Sequence, residues 1–148
     1  MLAHMADFLS PTERSERMAR VRGRDTKPEL FVRKALHAEG FRFRVNVANL
    51  PGRPDIVMRR YSTAIFVHGC YWHSHSCQKG RIPSTNPAFW EKKFLTNKRR
   101  DVRVAQALRG QGWHVYVVWE CQLRTIAGRE RTIKALAKRI RRNQRDGA

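Results

Sequence analysis

Hydrophobic and polar positions repeat along the chain with spacings that predict helices separated by strands. Thr26, Pro28 and Glu29 form a capping box with proline in the first helical turn, and Gly40 ends the apolar spacing that follows, so a helix is predicted between them. A similar signal at Ser10 predicts an earlier short helix that ends near residue 18. Residues 41–47 alternate apolar and polar side chains, which is typical of a half-buried strand.

Three further strands and two further helices follow in the pattern. Residues 55–58 and 64–68 are apolar strands joined by a basic hairpin at 59–63. A long helix begins at Pro87 and ends near Gly110 and Gly112, and a last helix runs from about residue 128 to 145. Between them, residues 113–119 are apolar with little alternation, which predicts a central strand buried on both faces. The fold class is therefore α/β, a mixed sheet flanked by helices.

Each of the two later helices is predicted to bury one apolar face. In the first of them, this face consists of Phe89, Trp90, Phe94, Val102, Ala105 and Leu108. In the last helix, it consists of Ile133, Leu136, Ala137 and Ile140. Lysines and arginines fill the remaining faces, so basic surfaces are predicted on both helices.

Length and charge limit the classes of function. The 148 residues are predicted to form a single domain, with a basic N-terminal arm at about 1–24 that either grips phosphates or only adds solubility, and a core at about 25–145. Residues 1–5 are either an expression remnant or an upstream start. Lysine and arginine number 31 against 12 acidic residues, a net charge of +19 that indicates a nucleic acid partner. Because apolar runs are too short for a membrane span or signal peptide, we expect a soluble, cytoplasmic protein.

Cysteine and histidine residues are concentrated in one short segment after the strand at 64–68. Cys70, His75 and Cys77 offer two thiolates and an imidazole, and Cys121 follows the apolar run at 113–119, where a strand end can deliver it. These four residues suit a tetrahedral, structural Zn²⁺ site. The alternative is that the thiols are buried and inert while the histidines are exposed.

A second set of residues suits Mg²⁺. Asp55 begins an apolar strand in a chain with few acids, and a four-residue turn at 60–63 would set it opposite His68. Asp55 with a backbone carbonyl of the facing strand is enough for this ion, and Glu29 could hold a metal-bound water. The alternatives are structural: Asp55 pairs with an arginine, His68 is a core histidine and Glu29 only caps its helix.

His73 lies among the zinc candidates without being needed as a ligand. An imidazole beside a metal site can accept a proton from an attacking water, so His73 is a candidate general base. Alternatively, His73 replaces His75 as the zinc ligand.

Four stretches of the chain together resemble one enzyme family. They are LPGRPD at 50–55, FVHGCYWHSHSC at 66–77, FW at 89–90 and VWEC at 118–121. In order and spacing they resemble the very-short-patch repair endonucleases, the Vsr family, over about residues 15–123. The resemblance implies a restriction-endonuclease-like core of the PD-(D/E)xK type with a structural zinc. It also implies Mg²⁺-dependent nicking of one DNA strand 5′ to the thymine of a T:G mismatch, which arises when 5-methylcytosine deaminates.

The same resemblance implies roles for individual residues. Asp55 and the main-chain carbonyl of Val67 would bind Mg²⁺, Glu29 and His68 would hold metal-bound waters, and His73 would be the general base. The zinc ligands would be Cys70, His75, Cys77 and Cys121. An aromatic wedge would enter the base stack, formed by Tyr71, Trp72 and Trp90. From periodicity alone, Trp90 is a core residue.

Two other functions compete with the nicking enzyme. One is a zinc-stabilised DNA-binding module without catalysis, which would not require Asp55, Glu29, His68 and His73 together. The other is a nuclease of the same fold that acts on another nucleic-acid structure. The expected partner is double-stranded DNA with a T:G mismatch, bound by a monomer at the bacterial nucleoid. Repair proteins and a cytosine methyltransferase are expected as functional associates.

Overall fold

The computed structural model describes residues 26–70 and 85–146, which form one four-stranded sheet and three helices. The helices are α1 (Lys27–Ala38), α2 (Pro87–Gly110) and α3 (Ile126–Asp146), and the strands are β1 (Arg44–Val45), β2 (Ile56–Met58), β3 (Thr63–His68) and β4 (His114–Trp119). This order confirms the mixed α/β class predicted from hydrophobic spacing. The short helix predicted near Ser10 lies outside the described residues. Within those residues, no helix has both the length and the apolar character needed to cross a membrane.

The strands lie in the order β1-β2-β3-β4, and β3 is central and buried along its whole length. β2 pairs antiparallel with β1 and β3, whereas β4 runs parallel to β3. The prediction that the strand at 113–119 is central was therefore wrong: in the described part of the chain, β4 is the edge strand, and Val117 is 38% exposed. The strand lacks alternation because Val115 and Tyr116 pack on opposite faces of the sheet. Apolar residues on both faces do not show whether a strand lies at the centre or at the edge of its sheet.

The first strand is shorter than the alternation predicts. Only Arg44 and Val45 pair with β2 as a strand, and Asn46 has a positive φ of 48°, which ends the regular extended backbone. Phe41 is nevertheless buried, because its ring packs edge-on against Tyr61 at a centroid distance of 5.4 Å. The alternation thus predicts the burial of Phe41 correctly, but Val45 is 42% exposed, and most of the segment is not paired as a strand.

The hairpin between β2 and β3 differs from the prediction by two residues in register. Arg59–Tyr61 form a 3₁₀ turn, Ser62 is left-handed at φ 48°, and Met58 pairs with Thr63. Since Ile56 pairs with Ile65, the register continued by one residue places Asp55 opposite Phe66, and the predicted pairing of Asp55 with His68 is wrong. Both alignments keep Asp55 and His68 on one sheet face, because a shift of two residues preserves the alternation of side chains.

Helices cover both faces of the sheet. α1 and α3 pack on the face that carries Ile65 and Val67, and the predicted stripe of α3 is buried there in full. α2 packs on the opposite face, where Leu108 contacts the cluster that contains Phe66. Near the end of α3, Asn143 donates hydrogen bonds to Thr63 Oγ1 at 3.1 Å and to the Tyr116 hydroxyl at 3.0 Å. These bonds satisfy buried polar atoms and fix α3 along the sheet.

Candidate active site at the end of the central strands

Asp55 lies in the loop that leads into β2 and is held from two sides. Its carbonyl oxygen accepts a hydrogen bond from the Asn46 backbone at 3.1 Å, and its Oδ2 atom accepts one from the Val67 backbone N–H at 2.7 Å. The carboxylate therefore lies against the main chain of Val67 in β3. Oxygen donors from a carboxylate and a peptide group suit Mg²⁺, which retains several waters, so the residues present fit that ion.

The loop before Asp55 is positioned by a close approach to α2. Gly52 has a φ of 70°, and a Cβ atom placed on it would lie 2.3 Å from Cγ1 of Val104. Only glycine fits this combination of backbone angle and contact without strain. Pro54, directly before Asp55, is fully buried. The residues LPGRPD thus form a packed support for one carboxylate.

His68 is the last residue of β3 and is buried, with 9% of its surface exposed. Its ring contacts two aromatic rings. The centroid of Trp119 is 5.2 Å away with an interplanar angle of 76°, and that of Phe66 is 5.7 Å away with an angle of 51°. The structure therefore places His68 one residue from the peptide group that Asp55 contacts.

Cys70 and Cys121 meet at the same end of the sheet. The Cys121 backbone N–H donates a hydrogen bond of 3.4 Å to Sγ of Cys70, which is fully buried, and Cys121 lies in a 3₁₀ turn directly after β4. An N–H group directed at sulfur stabilises a thiolate, so this pair fits two ligands of a zinc site.

Glu29 occupies the first turn of α1 and is buried. Its backbone N–H donates to Thr26 Oγ1 at 3.4 Å, and its Oε2 atom accepts from Arg33 Nη2 at 3.2 Å. Of the predicted capping box, the hydrogen bond from the Glu29 backbone to the Thr26 side chain is therefore present. Arg33 compensates the buried charge of the Glu29 carboxylate. Its contact with a metal-bound water stays a prediction.

The inward face of α2 differs from the predicted one. Trp90, Phe94 and Leu108 are buried as expected, but Phe89 is 51% exposed and Val102 is 57% exposed. Buried Asn97 and half-buried Asp101 continue the inward stripe instead, at the helical spacing 90, 94, 97, 101, 104 and 108. The prediction failed at these positions because it counted only apolar residues.

Trp90 packs within an aromatic group at the start of α2. It is 4% exposed, and its ring lies 5.3 Å from Phe89 and 5.8 Å from Phe94. This burial agrees with the interpretation of Trp90 as a core residue, and its wedge role stays a prediction. Five other predicted site residues lie outside the described residues: Tyr71, Trp72, His73, His75 and Cys77.

Basic side chains line the outer faces of both long helices. On α3, four exposed cations share the side opposite the core: Arg131, Lys134, Lys138 and Arg142. On α2, the exposed cations are Lys92, Lys98, Arg99, Arg100, Arg103 and Arg109. Such surfaces repel themselves and attract a polyanion.

Trp119 and Gln122 belong to this end of the sheet and were not predicted as site residues. The backbone N–H of Trp119 donates to Gln122 Oε1 at 2.8 Å, which fixes the chain where β4 ends. The sequence contained a signal for this contact. Two apolar strands end in FVH (66–68) and VVW (117–119), and parallel pairing of these ends would place His68 beside Trp119. The relative direction and register of those strands were not readable from spacing.

Comparison with known proteins finds similarity to DNA mismatch endonucleases and nicking enzymes. The sequence profile described as DNA mismatch endonuclease Vsr matches residues 6–79. The chain is 43% identical over 137 residues to the DNA mismatch endonuclease Vsr of Escherichia coli K12, which covers 92% of this chain and 86% of that protein. It is 41% identical over 137 residues to the type II nicking enzyme V.NmeAIP of Neisseria meningitidis, covering 93% and 98%. It is 42% identical over 130 residues to the type II nicking enzyme V.XorIIP of Xanthomonas oryzae, covering 88% and 96%.

Proposed function

Since the chain belongs to the DNA mismatch endonuclease Vsr family and is a DNA endonuclease, we propose that it nicks one strand of a duplex 5′ to the thymine of a T:G mismatch. The reaction is hydrolysis: a bond forms between a water oxygen and phosphorus, and one phosphodiester P–O bond breaks. The cellular role would be very-short-patch repair after deamination of 5-methylcytosine. A cytosine methyltransferase and repair proteins would be its functional associates, and the enzyme would act as a monomer.

The hydrogen bond between Asp55 and Val67 is the observation that carries this proposal. It places a carboxylate beside the main chain of β3 near the end of that strand, one residue before a buried histidine. Asp55 and the carbonyl of Val67 would hold Mg²⁺. When bound, this ion supplies Lewis-acid polarisation of the phosphate and stabilises the charge that develops in the transition state.

The protein's own side chains would orient water and accept a proton. His68 directly follows Val67 in β3, and its ring contacts the rings of Phe66 and Trp119, so we propose that it orients a water at the Asp55 and Val67 pair. Glu29 would orient a second water. His73 would take the proton of the attacking water, since an imidazole titrates near neutral pH.

Cys70 and Cys121 would hold zinc together with His75 and Cys77. The hydrogen bond between Cys121 N–H and Cys70 Sγ supports this assignment, because it brings residues 51 positions apart into contact at the ends of β3 and β4. A structural zinc here would supply folding energy to the end of the sheet that carries Asp55 and His68.

Recognition of the mismatch would depend on aromatic side chains. Tyr71 and Trp72 follow directly after Cys70 and would enter the base stack beside the mismatch, with Trp90 as a third aromatic member. Unstacking a wobble pair costs less than unstacking a Watson–Crick pair, so insertion favours T:G over T:A. The net charge of +19 and the basic faces of α2 and α3 support binding to the phosphates, which does not depend on sequence.

The test of this proposal separates catalysis from binding. In Asp55→Asn, the side chain keeps its shape but loses its charge, so Mg²⁺-dependent nicking of a T:G duplex should fall by roughly 10²-fold or more. Affinity for the same duplex should stay within about threefold, because lysine and arginine contacts dominate it. Glu130→Gln is the matched control, since Glu130 is an exposed acidic residue on α3 and its loss should leave both quantities unchanged.

Two results would refute the assignment of Asp55. One is a nicking rate for Asp55→Asn close to that of Glu130→Gln. The other is an equal loss of nicking and of binding, which would mean that the substitution disturbs the fold or the DNA-binding surface.

A further inference from the structure

Trp119 contacts His68 across the parallel pair of strands at the site. The two residues are directly paired in the register of β3 and β4, and their rings pack edge to face at 5.2 Å. Trp119 is half-buried, so part of the residue remains exposed to solvent.

Trp119 is itself held in place. Its backbone N–H donates a hydrogen bond to Oε1 of Gln122 at 2.8 Å. Two residues later, the backbone N–H of Cys121 donates a hydrogen bond to Sγ of Cys70 at 3.4 Å. The ring thus stands on a backbone fixed at two points beyond the end of β4. A side chain anchored in this way can restrict the motion of its neighbour.

An imidazole that orients a water has to keep one rotamer. His68 is at the last position of β3, where the ladder ends, and its ring can turn about two side-chain bonds. The rings of Phe66, two residues earlier on β3, and of Trp119, on the neighbouring strand, limit this rotation. A displacement of about 1 Å in a catalytic group can lower a rate by roughly 10²-fold, so this restriction affects function directly.

We propose that Trp119 is a positioning residue that holds the imidazole of His68 in its working orientation, an inference that rests on the proposed role of His68. Trp119 acts through ring contact and touches neither the metal nor the scissile phosphate. Its loss therefore lowers the rate of the bound complex and leaves affinity for the mismatched duplex intact.

The first experiment compares Trp119→Leu with Trp119→Phe in nicking of a T:G duplex at saturating Mg²⁺. Trp119→Leu should lower kcat roughly 10- to 100-fold, with KM and Kd within about twofold of wild type. Trp119→Phe keeps an aromatic ring and should restore kcat to within about threefold of wild type. Trp113→Leu is the control, because Trp113 is half-buried at the other end of β4, and its loss should cost stability without lowering kcat.

The second experiment is a double-mutant cycle with His68→Ala. If Trp119 acts through His68, then Trp119→Leu should lower the rate of the His68→Ala enzyme by less than about twofold. A full additional loss would overturn the inference, as would a wild-type kcat for Trp119→Leu. If His68→Ala alone nicks at the wild-type rate, the proposed role of His68 fails, and the inference fails with it. If His68→Ala is impaired while Trp119→Leu is not, only the inference fails.

A measurement without turnover completes the test. In the proton NMR spectrum, Trp119→Leu should shift the ring resonances of His68, because the indole ring current of Trp119 acts on them at a centroid distance of 5.2 Å. The resonances of His37 and His114 should stay in place. Trp119→Leu protein that unfolds at the wild-type temperature and leaves the His68 resonances unmoved would contradict the contact on which the inference depends.

Discussion

The backbone N–H of Cys121 points at the sulfur of Cys70, at a distance of 3.4 Å, although 51 residues separate the two cysteines in the chain. The contact joins the turn after β4 to the end of β3, beside His68. If the two cysteines bind zinc as proposed, the metal would join the ends of β3 and β4, and the following prediction depends on this contact.

Cys121→Ser should remove zinc and destabilise the domain. A structural zinc contributes folding energy directly, so the loss should exceed about 3 kcal/mol, out of the roughly 5–15 kcal/mol typical of a domain. Metal analysis and thermal unfolding with and without a chelator measure both effects. The neighbouring Arg124→Ser, at an exposed position, serves as the control and should retain both metal and stability. Zinc retained at one equivalent in Cys121→Ser, with unchanged unfolding, would show that the site is assigned wrongly.

Gly52→Ala should disturb the support of Asp55. The positive φ of 70° costs about 1 kcal/mol for alanine, and the new methyl group would lie 2.3 Å from Val104 Cγ1, which adds roughly 1–3 kcal/mol of overpacking. Nicking should also slow, because Asp55 is three residues away.

Gly112→Ala separates the two contributions in this experiment. Gly112 has a similar φ of 90°, but a Cβ placed there would meet no atom within 4 Å. Its substitution should therefore cost only the backbone term and leave nicking unchanged. Equal unfolding free energies for the two variants would mean that the close approach of Gly52 to α2 does not constrain the loop.

Trp72→Ala should weaken mismatch discrimination. Losing one stacking contact should reduce the preference for T:G over T:A by about 1–3 kcal/mol, and the salt dependence of binding should hardly change, because phosphate contacts remain. Nicking rates on both duplexes and thermal unfolding are measured on the same preparation, with Trp113→Ala as the control. A core role for Trp72 would instead cost about 3–5 kcal/mol of stability and spare the ratio of rates.

The sequence identified most of the fold because local signals agree with the tertiary structure there. The capping box at Thr26, the proline at the start of α2 and the apolar stripe of α3 each define an element by interactions within a few residues. The positions of Asp55 and Cys121 at strand ends likewise follow from composition and turn signals. These features depend on interactions between residues that are close in the sequence, so they can be recognised from the sequence of one chain.

What the sequence did not supply depends on contacts between distant segments. The hairpin register was missed because the 3₁₀ turn and the left-handed Ser62 follow from packing as well as from residue type. The edge position of β4 reflects which strands are its neighbours, which its own pattern does not encode. Trp119 was missed because its role arises only when β3 and β4 lie parallel with His68 beside it.

The most direct test of the central claim is a nicking assay of the wild-type protein on end-labelled duplexes that differ only at one base pair. The duplexes carry T:G, U:G or T:A at that position, and Mg²⁺ is present. We expect one nick in the T:G duplex, in the thymine strand and 5′ to the thymine. The T:A duplex should not be nicked, or should be nicked at a far lower rate. Without a divalent cation, no nick should form. Equal cutting of T:G and T:A, or cutting of both strands, would contradict a mismatch-specific nicking enzyme.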